Sequence, residues 1–174
     1  LAAAIAEEEL VAIVLIGGGA RSGKSRYALE LARKRGSKLA FIATATRSDE
    51  DMSARIDRHR ADRPAEFATF EVPVEVGAAI RECDADAIVV DCLTLWLANI
   101  FKKDIAAETE KLIDGARASS ATSIFVTNEV GCGVHPETAL GREFRDSAGM
   151  LNQRIGEAAD EVYWMIFGQP LRVK

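Results

Sequence analysis

Gly18-Gly19-Ala20-Arg21-Ser22-Gly23-Lys24-Ser25 fills every fixed position of the phosphate-loop pattern G-x-x-x-x-G-K-[ST]. Just before it, Val11-Ala12-Ile13-Val14-Leu15-Ile16 is an unbroken apolar run rich in β-branched residues, the pattern of a strand buried on both faces. After it, Tyr27, Ala28, Leu31 and Ala32 recur at helical spacing until Gly36 closes the segment. A strand, a glycine turn and a helix in that order aim backbone N–H groups at a phosphate, with the positive helix end behind them. In such a loop Lys24 places a point charge at the β- and γ-phosphates, and Ser25 offers its hydroxyl to Mg2+. The stretch predicts a site for a nucleoside triphosphate.

The rest of the chain is sized for one such domain. Its 174 residues suffice for a single core and are too few for two comfortable ones. We read residues 1–10 as an N-terminal extension and residues 11–174 as one nucleotide-binding catalytic domain. A net charge of −5 argues against a nucleic-acid partner, which requires a basic face. No apolar run approaches the length of a membrane span. Leu1 to Leu10 carries Glu7, Glu8 and Glu9 and no basic residue, unlike a secretory signal. Cys83, Cys92 and Cys132 have no metal-ligand spacing and make no even disulfide set; they read as reduced thiols of a cytoplasmic protein.

Strands and helices alternate onward. Leu39 to Ala43 reads as a second buried strand ending in Thr44-Ala45-Thr46. Ser48 then has the character of a helix N-cap, with Asp49, Glu50 and Asp51 in the first turn. Met52, Ile56 and His59 follow at helical spacing, among Arg55, Arg58, Arg60 and Arg63, until Pro64 ends the helix. Phe67 to Val72 is the next strand and carries Glu71; a helix from Val74 to about Cys83 follows. Ala87-Ile88-Val89-Val90-Asp91 is an apolar run ending in a carboxylate, the place where phosphate-loop enzymes keep an aspartate for the Mg2+ shell. Leu93 to Phe101 reads as a core helix with Trp96 as a packing residue, and Lys102 to about Ser120 as a helix with a solvated face. Ser123 to Thr127 is another buried strand, leading into the glycine-rich loop Asn128 to Pro136. That loop is either an active-site loop at a strand end or an ordinary connection. Phe144, Ala148, Leu151, Ile155 and Ala159 draw one apolar stripe on a helix from Ala139 to Ala159. Glu161 to Phe167 and Leu171 to Val173 supply two last strands around Gly168-Gln169-Pro170. The alternation predicts an α/β fold on a mostly parallel sheet with an antiparallel C-terminal edge.

A phosphate loop names a ligand and not a reaction. Further strings narrow it: Arg55-Ile56-x-x-His59-x-x-x-Arg63-Pro64, Thr127-Asn128-Glu129-Val130-Gly131, and Phe144-Arg145-Asp146-x-Ala148-Gly149-x-x-Asn152-Gln153. With the phosphate loop they make the chain, from about Val11 to its end, resemble the bifunctional adenosylcobinamide kinase / adenosylcobinamide-phosphate guanylyltransferase family of cobalamin biosynthesis. The resemblance implies a three-layer, RecA-like phosphate-loop fold and a homotrimer. It implies phosphorylation of the adenosylcobinamide hydroxyl by ATP or GTP, then attachment of GMP from GTP with release of pyrophosphate. The matching position makes His59 the residue that carries the guanylyl group. It also implies nucleotide contacts at residues 18–25, at Ala43, Thr44 and Ala45, at Arg60, Ala61, Asp62 and Arg63, at Glu71 and at Asp91, with Mg2+ at Ser25 and Asp91. Some relatives hold Glu at the place of Asp91, which reaches one methylene further, and a second histidine where this chain has Arg58.

Residue chemistry supports His59 in that role. A neutral imidazole is a competent nucleophile, and neighbouring arginines favour the neutral ring while stabilising charge on phosphates. The other histidine is His135. Two rivals explain the phosphate loop alone: a small-molecule kinase or ATPase with no guanylyl transfer, and a nucleotide-gated binding module without catalysis.

Overall fold

A computed structural model describes residues 12–46 and 64–174. The expected helix after Ser48, with His59 and residues 60–63, lies outside the described residues.

The strands are β1 (Ile13–Gly18), β2 (Leu39–Ala43), β3 (Phe67–Glu71), β4 (Ala87–Asp91), β5 (Thr122–Val126), β6 (Glu161–Ile166) and β7 (Gln169–Arg172). They form one seven-stranded sheet in the order β3-β2-β4-β5-β1-β6-β7. Every pairing is parallel except β6 with β7, so the mostly parallel sheet and its antiparallel C-terminal edge are as expected. The described helices are α1 (Lys24–Arg35), α2 (Val76–Glu82), α3 (Leu93–Ile100), α4 (Ile105–Ala118) and α5 (Ala139–Ala158).

Strand side chains alternate between two faces, and both faces of this sheet are covered. Ile13, Leu15, Ile42, Ile88, Val90 and Phe125 join one core with Ile80 of α2, Trp96 of α3, Leu112 of α4 and Leu151 of α5. Val14, Ile16, Phe41, Val89 and Ile124 join the other with Ala28, Leu31 and Ala32 of α1. The result is three layers, which is why the strands read as continuous apolar runs. The expected stripe on α5 holds: Ala148, Leu151 and Ile155 are buried, and Phe144 packs on the same core. Trp96 is the packing residue the sequence implied, buried, with its Nε1 donating to Val74 O at 2.8 Å.

Two expectations change. The segment Lys102 to Ser120 is not simply a solvated face: Leu112, Ile113 and Ala116 of α4 are buried, and α4 packs closely on α2. Most of its charged residues occupy the outer side and made the whole segment read as exposed, although Glu108 and Thr109 are buried as well. The C-terminal strands meet in a two-residue turn, Phe167-Gly168, rather than around Gly168-Gln169-Pro170. Gln169 and Pro170 belong to β7, where an edge position lets proline omit its N–H.

Candidate nucleotide site

The phosphate loop sits at the carboxyl end of β1, between its neighbours β5 and β6. The chain leaves β1 at Gly18 and enters α1 at Lys24 through a tight turn, with Ser22 N donating to Gly19 O at 3.3 Å. Arg21 has φ 57° and Gly23 φ 95°, so two residues of the turn, on either side of Ser22, depart from right-handed geometry. Such turns gather backbone N–H groups into an anion-binding concavity. Gly23 is the N-cap of α1 and makes no side-chain cap, which leaves the first helical N–H groups for a ligand.

Two side chains of the expected set meet at this turn. Ser25 Oγ donates to Asp91 Oδ2 at 2.6 Å, joining the first turn of α1 to the end of β4 across 66 residues of sequence. Lys24 is buried; its Nζ donates to Gly19 O and reaches Ser22 Oγ at 3.4 Å. The ammonium is thus folded against the loop it would serve. Burial pulls the Lys24 pKa below the ordinary lysine value, while the Asp91 carboxylate and, after it, Cys92 push it up.

The pair Ser25 and Asp91 fits a hard divalent cation, since both offer oxygen at one point beside the phosphate concavity. No group of three or more His, Cys, Asp or Glu side chains among the described residues makes a metal cage.

Further along the same rim lie the other described members of the set. Ala43 pairs laterally with Glu71 of β3 on one side and Asp91 of β4 on the other, so these three residues form one row. Thr44 is fully buried; its Oγ1 donates to Cys92 O at 2.8 Å and accepts from Cys92 N at 2.9 Å. That hydroxyl clamps the strand ends of β2 and β4 together. Burial, with the Asp91 charge adding, pushes the Cys92 thiol up to about 11, so this cysteine stays protonated and is no nucleophile at neutral pH. Ala45 follows, partly exposed. The structure therefore brings residues 18–25, Ala43, Thr44, Glu71 and Asp91 to the carboxyl rim of the sheet, the end where open α/β sheets bind ligands.

The loop after β5 borders the same place. Glu129 N donates to Gly18 O at 3.1 Å, tying the loop to the start of the phosphate turn. Thr94 Oγ1 accepts from Asn128 N at 3.0 Å and from its Nδ2 at 3.3 Å, and Thr127 Oγ1 donates to Asn152 Oδ1 at 2.7 Å. Asn99 Nδ2 donates to Thr44 O at 2.7 Å and Pro73 O at 2.9 Å. Thr94 and Asn99 are supports that sequence reading missed. Neither has a neighbour in sequence that signals its role, because their partners arrive from other strand ends. His135 is exposed, with Nδ1 2.8 Å from Arg145 Nη1; it shapes its loop and is remote in sequence from the phosphate turn.

The chain is similar to known proteins in sequence and in fold. The family described as cobinamide kinase / cobinamide phosphate guanyltransferase matches residues 14–173. The bifunctional adenosylcobalamin biosynthesis protein CobP of Pseudomonas aeruginosa is 42% identical over 167 residues, covering 92% of this chain and 96% of that protein. The bifunctional adenosylcobalamin biosynthesis protein CobU of Salmonella typhimurium is 36% identical over 181 residues, covering 93% and 99%. Among solved structures, the flagellar accessory protein FlaH of Methanocaldococcus jannaschii superposes with TM-score 0.52 at 13% identity, covering 94% of this chain and 78% of that one. The RadB recombinase gives 0.52 at 17% identity, covering 88% and 73%; at such identities the likeness is one of fold. The chain belongs to the cobinamide kinase / cobinamide phosphate guanyltransferase family and is built on the RecA-like phosphate-loop fold.

Proposed function

We propose that the protein phosphorylates the hydroxyl of adenosylcobinamide with ATP or GTP and then transfers GMP from GTP to that phosphate, giving adenosylcobinamide-GDP and pyrophosphate. The observation that carries this reading is the reach of the family match, whose residues 14–173 include both the phosphate loop and His59. In the first reaction the loop N–H groups and Lys24 bind and orient the phosphates, and the acceptor hydroxyl oxygen attacks the γ-phosphorus as its bond to the bridging oxygen breaks, the nucleoside diphosphate leaves and the hydroxyl proton passes to solvent. Ser25 and Asp91 would hold Mg2+, which when bound neutralises phosphate charge. In the second reaction the neutral ring nitrogen of His59 attacks the α-phosphorus of GTP, forming a P–N bond as pyrophosphate leaves. A phosphate oxygen of the corrinoid then attacks that phosphorus, and the P–N bond breaks to return the free histidine. Ala43, Thr44, Ala45, Arg60, Ala61, Asp62, Arg63 and Glu71 contact the nucleotide in this reading. The working unit is a cytoplasmic homotrimer.

The test is incubation with GTP labelled at the α-phosphate, followed by denaturation and acid. The expected result is an acid-labile label, located on His59 by mass spectrometry and lost in His59→Ala, with ATP-dependent phosphorylation of adenosylcobinamide partly surviving. Lys24→Ala loses both reactions. Label on His135 or a lysine, or full transfer by His59→Ala, overturns the role of His59. A kinase with no label at all points to the simpler phosphate-loop enzyme.

A further inference from the structure

The turn between β6 and β7 has an unusual residue at its tip. Phe167 has φ 49° and Gly168 φ 79°, the paired left-handed geometry of a two-residue hairpin, which favours Asn-Gly or Gly-Gly. A bulky aromatic in that conformation is strained relative to glycine. Phe167 is also 97% exposed, so it recovers nothing by packing. Strain without burial directs attention to a ligand.

The position of the turn says which ligand. A Cβ built on Gly23 of the phosphate loop would lie 3.5 Å from Gly168 Cα, so the hairpin tip rests beside the mouth of the loop. Arg26, in the first turn of α1, extends toward Gly168 O at 3.5 Å. Asp91, with the expected metal site, stands on β4, two places from β1 on the far side, while β6 and β7 lie on the near side. A triphosphate whose terminal phosphate lies toward Ser25 and Asp91 has its nucleoside leaving on the side of Gly23, Arg26 and Phe167.

The two reactions act on different phosphorus atoms, the terminal one and the innermost one, so they make different demands on where the nucleoside lies. We propose that Phe167 is the stacking platform for the base of the phosphoryl-donor nucleotide, a specificity-determining residue of the kinase step. Guanylyl transfer holds its nucleoside on the opposite side of the loop, toward the row of Glu71, Ala43 and Asp91. This rests on the function proposed above. An exposed aromatic is suited to the task because base stacking needs a flat apolar face and no hydrogen-bond code. Arg26, which reaches Gly168 O at 3.5 Å and Glu30 at 3.8 Å, adds a cation on the phosphate side of the turn.

The test compares Phe167→Gly with Phe167→Tyr, using ATP and inorganic tripolyphosphate as binding probes. Glycine takes the turn without strain, so the fold is kept and thermal stability stays level or rises. The expected result is a roughly tenfold loss of ATP affinity in Phe167→Gly, unchanged tripolyphosphate affinity, and recovery in Phe167→Tyr. In the assay of corrinoid phosphorylation, KM for ATP rises by a similar factor with kcat nearly constant, while labelling by α-labelled GTP is unchanged. Unchanged ATP affinity in Phe167→Gly overturns the proposal, as does an equal loss of tripolyphosphate, which would mean that the turn only props the loop. A fall in oligomeric mass with nucleotide affinity intact also overturns it, assigning Phe167 to an interface between copies. If the unaltered protein fails to phosphorylate the corrinoid, the proposed function falls while the ATP and tripolyphosphate comparison still decides the role of Phe167.

Discussion

Gly23 and the pair Gly77–Gly115 are small for opposite reasons. Gly23 has open surroundings, with no atom closer than 3.5 Å to the Cβ it lacks, but its φ of 95° belongs to glycine. Gly77 and Gly115 lie inside α2 and α4, where any residue can take the backbone angles. Space is what they lack. A Cβ on Gly115 would overlap the carbonyl of Gly77, and one on Gly77 would overlap the carbonyl of Lys111. One site uses freedom of conformation to turn the chain into α1 where we propose that a triphosphate binds; the other uses absence of volume to let two helix backbones touch. The first kind of glycine serves function and the second serves packing.

The largest expected effect breaks the second site. Gly115→Ala forces α2 away from α4 at a contact between backbones, which no rotamer change relieves, so the loss lies near the upper end for overpacking, about 3 kcal/mol. Thermal unfolding should fall by roughly 6–12 °C for a chain of this length, while nucleotide affinity of the folded protein stays constant. Gly77→Ala acts on the same contact, and the double variant should lose less than the sum of the two. A normal melting temperature in Gly115→Ala would mean that the helices do not meet at these glycines.

A smaller effect, read in a different assay, sharpens the comparison. Gly23→Ala carries about 1–2 kcal/mol of left-handed strain. Nothing packs tightly over the residue, so the turn relaxes and its N–H groups lose their aim. The strain then appears in binding, as a loss of triphosphate affinity of about tenfold, with only a small change in melting temperature. Isothermal titration beside a thermal melt separates the outcomes. A melting temperature lowered as far as in Gly115→Ala, with affinity intact, would place Gly23 among the packing glycines.

The same contrast explains what was legible in the sequence. Gly18 to Ser25 could be read because a ligand of fixed shape imposes fixed spacing along one stretch of chain. Asp91 could be read because an apolar run before a carboxylate is a local pattern. Gly77 and Gly115 were silent, since each owes its identity to a residue almost forty positions away. The buried face of α4 was hidden for a related reason: Leu112, Ile113 and Ala116 are interleaved with Lys111 and Asp114, and a polar average obscures a narrow stripe. Pro170 misplaced the last turn, because proline marks loops more often than edge strands. Residues 60–63 and His59 stand outside the described residues, so their part of the site rests on sequence.

The least of the expected effects concerns charge rather than shape, and it tests whether Lys24 belongs to the ligand side of the comparison. Burial lowers its pKa in the free loop, whereas phosphates arriving beside Nζ favour the charged form and raise it. Between those two values, binding takes up a proton, so affinity for a triphosphate is level below the free-loop pKa. It then declines as pH rises through that value, by at most about tenfold per pH unit for one proton. Folding carries the opposite sign. The unfolded chain holds this proton more tightly, so the burden of a buried ammonium is full at neutral pH and fades as pH rises through the depressed pKa. Titration of a non-hydrolysable triphosphate without added metal, from about pH 8 to 10.5, should show the decline, with proton uptake visible as a dependence of the heat on buffer. Lys24→Arg keeps its charge throughout this range, so its affinity, whatever its absolute level, should lose the slope. An equal slope in both proteins would move the titration to another group and leave Lys24 as a structural member of the loop.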